Sequence, residues 1–531
     1  MEYQKFGVML DCSRNAVMNV KSLKKFIDCL AKMGYNALEL YMEDTFEVKD
    51  EPYFGYLRGR YTDTELKEVD AYAISRGIEL IPAIQTLAHF TALDKRCYED
   101  IIDCTDILLI DQPKTYEFIE NIFKSLAENF TSRNVNIGMD EAYLVGRGKY
   151  LDEHGYQDRT ELLARHLRKV MGIAEKYGFR AHMWSDMFVR MGSGETYYDL
   201  NAKISPEIGE KIPRSVDLVY WDYYHTDKKI YDKMIENHQK LNCGLWFAGG
   251  AWTWNGFAPL SGFTLESMRP AMRSVRKHNV DKVIITMWGD NGAECSVFSQ
   301  LYSLYAIRQF ANGNFNMKDI RKGFYDIFGI KFSDFEVLDV PNKMSVKDKQ
   351  EKNNALAKTY FYMDPFMGEF DLNLSNSKII PYESHAKLLK NKGNYAAEFK
   401  YIFDELSALC KVLAVKTELG VKTREAYKSR NKASIKTIIL DYKKTIKLIE
   451  NFHKEFRYLW FKENKANGWE VQDARIGGLI RRLKTCIFRL EQFINGEIEI
   501  IEELEQEILP KDPNKIIGIN YYSQIISKSI M

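Results

Sequence analysis

The feature that most constrains the fold of this chain is a pattern that recurs eight times between residue 6 and about residue 311. Each repeat begins with a short apolar segment, typical of a buried strand, that ends in polar or aromatic residues. The predicted strands are Phe6–Leu10, Ala37–Met42, Glu79–Ile84, Val135–Met139, Arg180–Trp184, Leu218–Trp221, Gly244–Ala248 and Lys282–Met287. An amphipathic segment with helical spacing follows all but the fifth strand, where a long, irregular crossover begins after Trp184. Eight parallel strands joined in this way predict a (β/α)8 TIM barrel, of the α/β class, rather than an open sheet.

The predicted helices of this region end with recognisable stop signals. They are Val20–Met33, Asp63–Arg76, Lys114–Phe130, Glu161–Tyr177, Lys229–Leu241, Leu265–His278 and Val297–Phe310. Glycine residues at positions 34, 77 and 178 close three of them, as expected where a helix ends before the next strand.

The sequence changes character after Asn312-Gly313-Asn314. Strand signals nearly vanish, and long charged segments with helical spacing dominate, such as Ala396–Val415, Lys432–Trp460 and Ala474–Ile494. We therefore predict two domains, a catalytic barrel over residues 1–311 and a mostly α-helical C-terminal domain over residues 312–531.

The charge balance excludes several classes of partner. The 75 basic and 74 acidic side chains nearly cancel, so no basic field is available for nucleic acid or for an acidic membrane surface. We see neither an apolar run near the start nor a stretch of about 18 apolar residues that would span a membrane. The eight cysteines lack the spacing of a zinc site. We expect free thiols and a cytoplasmic protein.

The segment Asn136-Ile137-Gly138-Met139-Asp140-Glu141 is the most informative one for function. An apolar strand runs here into two adjacent carboxylates, which a strand tolerates only at its end, in a pocket. A second interpretation is a helix N-terminus, with Asp140 as the cap and Glu141 in the first turn. The hexapeptide alone does not decide between the two interpretations.

The other strand ends favour the pocket, because functional residues of a barrel lie where strands end and loops begin. The strand-end residues are Asp11, Arg14, Glu39, Glu43, Asp44, His89, Asp140, Glu141, His182, Trp184, Asp186, Tyr220, Trp221, Asp222, Tyr223, Tyr224, Trp252, Trp254, Trp288, Asp290 and Glu294. A single Trp is more often core than ligand platform. Five Trp at four successive strand ends, together with carboxylates, indicate a sugar site, where rings stack on C–H faces and carboxylates accept from hydroxyls.

The two adjacent carboxylates indicate how a glycosidic bond could be cleaved. Neighbouring residues in an extended backbone point to opposite sides, so Asp140 and Glu141 do not readily act as acid and nucleophile on one bond. They could instead divide the work. Glu141 would donate a proton to the leaving oxygen, and Asp140 would hold a substrate acetamido group that attacks the anomeric carbon in place of an enzyme nucleophile.

Six segments carry a resemblance to a known family. They are Gly7–Arg14, which follows G-x-x-x-D-x-x-R, Asn36–Asp44, Ile81–His89, which follows I-P-x-I-x-x-x-x-H, Asn136–Glu141, which follows (H/N)-x-G-x-D-E, Tyr220-Trp221-Asp222 and Trp288-Gly289-Asp290. In this order, over about residues 5–310, they resemble the motifs of glycoside hydrolase family 20, the exo-acting β-N-acetylhexosaminidases. The helical C-terminal domain is similar to that of a compact bacterial subgroup that cleaves terminal GlcNAc or GalNAc.

The resemblance implies a role for each matching residue. Glu141 would be the general acid and later the base, Asp140 would bind the acetamide N–H, and Tyr220 would bind its carbonyl and assist cyclisation to an oxazolinium. His89 would tune the protonation of Glu141. The remaining predicted substrate-binding residues are Trp184, Trp252, Trp254 and Trp288 as walls, Asp222 and Asp290 for sugar hydroxyls, and Glu39 or Glu294 for replacement contacts. The resemblance implies no metal and no cofactor.

Three departures from the family pattern concern substrate recognition. Phe6 stands where most members have an Arg that binds sugar hydroxyls, Asp290 replaces a Glu, and Gln85 replaces a carboxylate. We expect a divergent branch that accepts gluco and galacto epimers. Two alternatives to an intracellular exo-β-N-acetylhexosaminidase stay open, namely a retaining glycosidase with Asp290 or Glu294 as nucleophile and a non-catalytic sugar-binding barrel. The sequence does not decide whether the protein forms a homodimer.

Overall fold

The computed structural model describes residues 2–193, 196–200, 206–241, 243–343, 352–372, 380–509, 521–527 and 529. Within these residues, eight parallel strands close a barrel in which each strand pairs with the next along the chain and the eighth pairs with the first. The strands are β1 Lys5–Asp11, β2 Ala37–Tyr41, β3 Glu79–Ala83, β4 Asn134–Asn136, β5 Arg180–Trp184, β6 Asp217–Trp221, β7 Leu245–Gly250 and β8 Lys282–Met287. The predicted TIM barrel is confirmed.

Helices cover the outside of the barrel. They are α1 Val20–Met33, α2 Asp63–Ser75, α3 Pro113–Asn129, α4 Arg159–Lys176, α5 Lys228–Gln239, α6 Ser261–Lys277 and α7 Leu301–Ala311. The short helices Asp186–Ser193 and Pro206–Lys211 lie in the long crossover after β5. The predicted final helix differs at its start, where residues 297–300 form a 3-10 turn before α7.

The inward faces of the strands fill the barrel, and the outward faces pack under the helices. The interior cluster consists of Met9, Ala37, Tyr41, Ile81, Ala83, Trp184, Val219, Trp246, Ala248 and Ile284. The fit is tight at Gly7, where a Cβ would lie 2.7 Å from Ile284 Cδ1 and 2.9 Å from Ala37 Cβ. Successive strand residues alternate between the inner and outer faces of the barrel. The interior cluster therefore also indicates which residues near the end of each strand point towards the barrel mouth.

The chain after residue 312 is mainly helical in its described part, as predicted. Its longer helices are α8 Met317–Phe328, α9 Leu356–Tyr362, α10 Tyr382–Gly393, α11 Lys400–Lys416, α12 Leu419–Lys428, α13 Lys432–Glu463 and α14 Trp469–Asn495. The connection between α13 and α14 is bonded to the barrel, since Lys465 N–H donates to the Val17 carbonyl at 2.8 Å and Asn19 N–H donates to the Glu463 carbonyl at 3.0 Å. The boundary at residue 311 stays a prediction.

Candidate active site

A pocket opens at the carboxyl ends of the strands, where the sequence predicted a ligand site. Its lining combines charged and aromatic side chains that lie at the ends of seven different strands or in the loops that follow them. They are Arg14, His89, Asp140, Glu141, Trp184, Trp221, Tyr223, Tyr224, Trp254, Trp288 and Asp290. Seven of the twelve predicted site residues are therefore brought together, and five are not.

The loop after β4 turns sharply to present its two carboxylates. Gly138, Met139 and Glu141 have φ values of 70°, 68° and 52°. A Cβ on Gly138 would lie 2.1 Å from Gln85 Oε1, so only glycine fits there. These left-handed residues end β4 at Asn136, three residues earlier than predicted. The next helix begins at Lys149, so the interpretation of Asp140 and Glu141 as a helix N-terminus is wrong.

Asp140 is held as a carboxylate by two neighbours. Gln85 Nε2 donates to its Oδ1 at 2.7 Å, and His89 Nε2 lies 3.1 Å from its Oδ2. Burial raises the pKa of Asp140, but His89 and Gln85 outweigh burial and keep the pKa below its ordinary value. Burial lowers the pKa of His89, and the charge of Asp140 outweighs it and raises the pKa to about 9. The pair is therefore ionic at neutral pH.

Glu141 has the opposite electrostatic surroundings. Burial and the negative charge of Asp140 raise its pKa, which favours the protonated form. Its side chain is 47% exposed, compared with 13% for Asp140, and its Oε2 lies 3.9 Å from His89 Nε2. Its backbone N–H donates to Asp186 Oδ2 at 3.1 Å. A positioned carboxyl with a raised pKa can act as a general acid.

Arg14 is a pocket residue to which the sequence reasoning gave no role. Its Nη1 lies 3.4 Å from Asp11 Oδ2 and 3.5 Å from Glu43 Oε1, and its Nε lies 3.9 Å from Asp290 Oδ1. Its guanidinium carbon lies 4.8 Å from the ring centroid of Trp288. Burial raises the pKa of Asp290 to about 6, although Arg14 opposes this shift. The signal was present in the sequence, because Arg14 ends the first family-like segment.

Aromatic rings form the walls of the pocket. The Trp184 and Trp288 centroids are 6.0 Å apart, and Trp221 stacks on Tyr223 at 5.5 Å. Trp252, predicted to bind substrate, is instead fully buried behind Trp254, with the two rings stacked at 4.3 Å. Trp252 Nε1 donates to the Tyr223 carbonyl at 3.1 Å, so Trp252 supports the wall without lining it.

Tyr220 and Asp222 do not line the pocket, which corrects the prediction for both. Tyr220 lies on the outward face of β6, and its hydroxyl donates to Asp222 Oδ2 at 2.7 Å. Asp222 is fully buried, and Oδ1 also accepts from the Tyr224 N–H at 3.0 Å. Because Val219 and Trp221 face inward, alternation along the strand places Tyr223 on the pocket side. The sequence prediction relied on the Y-x-D match and did not use this alternation.

Glu39, Glu294 and the position of Phe6 also lie away from the pocket. Glu39 is buried inside the barrel, with Oε1 2.8 Å from His182 Nε2. Glu294 forms ion pairs with Lys358 Nζ at 2.8 Å and Arg475 Nη1 at 3.2 Å. Phe6 packs outside the barrel, 5.0 Å from the ring of Tyr3. These positions therefore provide no replacement sugar contacts.

Two further properties concern the whole of the described chain. Among its described residues, no group of three or more His, Cys, Asp or Glu side chains is arranged to hold a metal ion. None of the helices that the structure describes has the length and apolar character needed to cross a bilayer.

Comparisons with known proteins show which family the chain resembles. Residues 3–230 match the sequence model of the "Glycosyl hydrolase family 20, catalytic domain", and residues 333–518 match that of the "Glycoside Hydrolase 20C C-terminal domain". A "Probable beta-hexosaminidase" of Arthroderma benhamiae is 25% identical over 341 residues, which is 56% of this chain and 50% of that protein. A "Beta-hexosaminidase" of Vibrio furnissii is 28% identical over 227 residues, which is 34% of this chain and 36% of that protein.

The chain thus spans half of the Arthroderma relative and about a third of the Vibrio furnissii relative. Among solved structures, it is similar to a GH20 exo-β-N-acetylglucosaminidase from Vibrio harveyi in complex with N-acetylglucosamine, with a TM-score of 0.48 and 16% identity. That likeness covers 64% of this chain and 58% of the other.

Proposed function

The chain belongs to glycoside hydrolase family 20, and on this premise we propose that it is an exo-acting β-N-acetylhexosaminidase that removes terminal, non-reducing, β-linked GlcNAc or GalNAc. The observation that carries the proposal is the pair Asp140 and Glu141. The pKa of Asp140 is lowered, whereas that of its neighbour Glu141 is raised. Adjacent titratable groups whose pKa values are driven apart mark an acid and a charged partner.

The proposed reaction is substrate-assisted and retains the anomeric configuration. Protonated Glu141 donates its proton to the glycosidic oxygen while the acetamide oxygen of the substrate forms a bond to the anomeric carbon, and the bond to the leaving group breaks. The resulting oxazolinium carries positive charge beside the carboxylate of Asp140, which accepts the acetamide N–H. Glu141 then takes a proton from water, whose oxygen attacks the anomeric carbon and releases the acetamide.

Tyr223 takes the place that the sequence assigned to Tyr220. Burial, and to a lesser degree the charge of Asp140, raise the pKa of Tyr223, so its hydroxyl keeps its proton. A protonated phenol in the pocket can donate to the acetamide carbonyl and orient it for attack. The proposal thus keeps the role that the family resemblance implied and assigns it to the tyrosine that faces the pocket.

The remaining lining residues account for sugar recognition. Trp184, Trp254 and Trp288 offer ring faces to the sugar and its acetamide. Arg14 and Asp290 provide a donor and an acceptor for sugar hydroxyls within one ion-paired unit. Arg14 thereby supplies the cation that Phe6 does not.

The second candidate function is a retaining glycosidase with an enzyme nucleophile. Asp290 favours it, because this carboxyl lies in the same pocket as Glu141, whereas Glu294 lies outside the pocket and is ion-paired. Burial raises the pKa of Asp290 to about 6, so below that pH this carboxyl is mostly protonated and is a poor nucleophile. A thiazoline that mimics the oxazolinium should inhibit only an enzyme that uses the acetamide.

The eight cysteines are all free thiols, which supports the further proposal that the protein works in the cytoplasm.

The test of the proposed function is release of an aryl aglycone from β-GlcNAc, β-GalNAc and β-glucose derivatives in parallel. We expect cleavage of one or both acetamido sugars and none of the glucoside. Comparable cleavage of the glucoside would contradict the acetamide mechanism and the role of Asp140. The ratio of the first two rates measures the epimer preference.

A further inference from the structure

The loop after β4 carries Glu141 on a backbone that only glycine adopts without strain. Met139 and Glu141 have φ values of 68° and 52°, although neither is a glycine. Side chains other than that of glycine are strained in this left-handed region, so the contacts around the loop must hold it there. The position of the Glu141 carboxyl therefore depends on what binds the backbone of this loop.

Each of the three left-handed residues in the loop donates its N–H to a side-chain oxygen. The pairs are Gly138 with Asn136 Oδ1 at 3.0 Å, Met139 with Gln85 Oε1 at 3.1 Å and Glu141 with Asp186 Oδ2 at 3.1 Å. One acceptor ends β4 itself, and the other two follow β3 and β5, the strands that pair with β4. Only the bond to Asp186 involves the backbone of the acid.

Asp186 stands on a backbone that several contacts fix. It is fully buried and begins the short helix that follows β5. Its neighbour Ser185 donates a backbone N–H to the Val219 carbonyl at 3.1 Å. The Ser185 hydroxyl lies 2.7 Å from Tyr197 Oη and 2.8 Å from His238 Nε2. The carboxyl of Asp186 is therefore a fixed point from which the loop of Glu141 is held.

The surroundings of Asp186 leave this bond as its distinguishing contact. The residue does not line the pocket, and among the residues that the structure describes none bonds to its Oδ1. Burial and the negative charge of Asp140 raise the pKa of Asp186 to about 7, so its anion is disfavoured where it lies. The bond from Glu141 needs only an oxygen acceptor, which a carboxyl keeps in either protonation state.

We propose that Asp186 is a positioning residue for the general acid, and that its Oδ2 aims the Glu141 carboxyl at the glycosidic oxygen by holding the Glu141 N–H. The inference rests on the proposed function, in which Glu141 is the acid. Proton transfer needs donor and acceptor within hydrogen-bond distance, and a displacement of about 1 Å can cost about 100-fold in rate. Asp186 acts through the backbone of Glu141 and does not touch the substrate.

The test compares two aryl β-GlcNAc glycosides whose leaving groups differ in their need for a proton. Dinitrophenolate leaves with little help, whereas phenolate needs the acid. Asp186→Ala and Asp186→Leu both remove the acceptor, and Leu keeps the branched shape of the side chain. Each should lower kcat/KM for the phenyl glycoside by about 10- to 100-fold and that for the 2,4-dinitrophenyl glycoside by less than about threefold.

Two further variants separate positioning from a general loss of structure. Asp186→Asn keeps an oxygen that accepts the Glu141 N–H, so it should restore the wild-type ratio of the two kcat/KM values. Asp158→Ala is the matched control, because Asp158 Oδ1 also accepts backbone N–H groups, at 2.9 Å from Thr160 and at 3.1 Å from Glu161, at the start of α4. This variant should keep the wild-type ratio as well.

Three results would overturn the role of Asp186 while the wild-type protein still cleaves both glycosides. Equal losses on the two glycosides in the Ala and Leu variants would mean that Asp186 supports the whole site. Unchanged rates would mean that the bond does not position the acid. An Asn variant as impaired as the Ala variant would mean that the charge of Asp186 matters and not its acceptor oxygen. If the wild-type protein cleaved neither glycoside, the proposed function itself would be wrong.

Discussion

At the residue scale, Asp140 and Glu141 differ in charge because their neighbours differ. Asp140 points at His89 and Gln85, which favour its anion, whereas Glu141 faces the anion of Asp140 and the partly open mouth. The sequence predicted both residues, since the end of an apolar strand keeps two adjacent carboxylates only where they meet a pocket or a helix N-terminus. It did not predict that Gln85 bonds to Asp140, because that contact depends on the sharp turn at Gly138.

Glu141→Gln removes the proposed proton donor. We expect turnover on substrates with poor leaving groups to fall by about 10²–10⁴-fold. An activated aryl glycoside needs less protonation and should lose less rate. Steady-state kinetics on the two substrates would check this, and equal losses on both would argue against Glu141 as the acid.

His89→Gln should shift both limbs of the pH–rate profile to higher pH. The charge of His89 lowers the pKa of Glu141, so its removal keeps the acid protonated to higher pH and shifts the basic limb up. The same charge lowers the pKa of Asp140, so Asp140 then becomes charged only at higher pH and the acidic limb also moves up. An unshifted profile of kcat/KM against pH would contradict the electrostatic role.

At the element scale, the barrel strands were predicted closely because each ends where apolar residues give way to polar ones. β5 and β8 have the predicted bounds. The errors lie where the backbone leaves the regular pattern or where a motif was preferred to alternation. Tyr220 was chosen from a three-residue match, although the inward position of Val219 in β6 assigns Tyr223 to the pocket.

The loop after β8 depends on side chains that no local pattern reveals. Glu294 pairs with Lys358 and Arg475, which follow it by 64 and 181 positions and hold the loop of Asp290 from the helical region. A sequence read in short segments has no signal for partners so distant. Glu294 was therefore predicted to bind the substrate, although its ion-pair partners are Lys358 and Arg475 of the protein itself.

Glu294→Gln should destabilise the protein and weaken catalysis together. The change leaves Lys358, whose side chain is fully buried, without its charge partner, and breaking such a pair costs about 3 kcal/mol. Denaturant unfolding and kcat/KM would measure the two effects. Glu502→Gln breaks the exposed pair with Arg489 and is the control, which should change neither. Unchanged stability in Glu294→Gln would contradict the structural role.

At the scale of the whole molecule, the junction between the barrel and the helices contains a buried carboxyl. Glu463, the last residue of α13, accepts from Ser296 Oγ at 2.6 Å and from Tyr401 Oη at 2.7 Å. Burial raises its pKa to about 7 from an ordinary value of 4.5. The sequence predicted long helices here from their periodicity. It could not place one end of α13 against the barrel, because contacts between distant segments leave no periodic trace.

This carboxyl should make stability depend on pH. Glu463 binds its proton more tightly in the folded state than in the unfolded state. Its contribution to the free energy of unfolding is therefore greatest below pH 4.5 and is lost as the pH rises through 7. The difference in pKa corresponds to roughly 3 kcal/mol. Glu463→Gln keeps an acceptor for Ser296 and should flatten the decline in unfolding free energy between pH 5 and 8. Glu450→Gln, at an exposed position of α13, should follow the wild-type curve, and an equally steep curve for Glu463→Gln would contradict the account.

The measurement that tests the central claim most directly is the rate on aryl glycosides of glucosamine whose N-acetyl group carries zero to three fluorines. Fluorine withdraws electrons from the acyl oxygen and weakens it as a nucleophile without changing the enzyme. If the acetamide attacks the anomeric carbon under the control of Asp140 and Glu141, kcat should fall with every added fluorine. A kcat that does not depend on fluorination would show that the protein supplies the nucleophile, and the roles assigned to Asp140 and Tyr223 would be wrong.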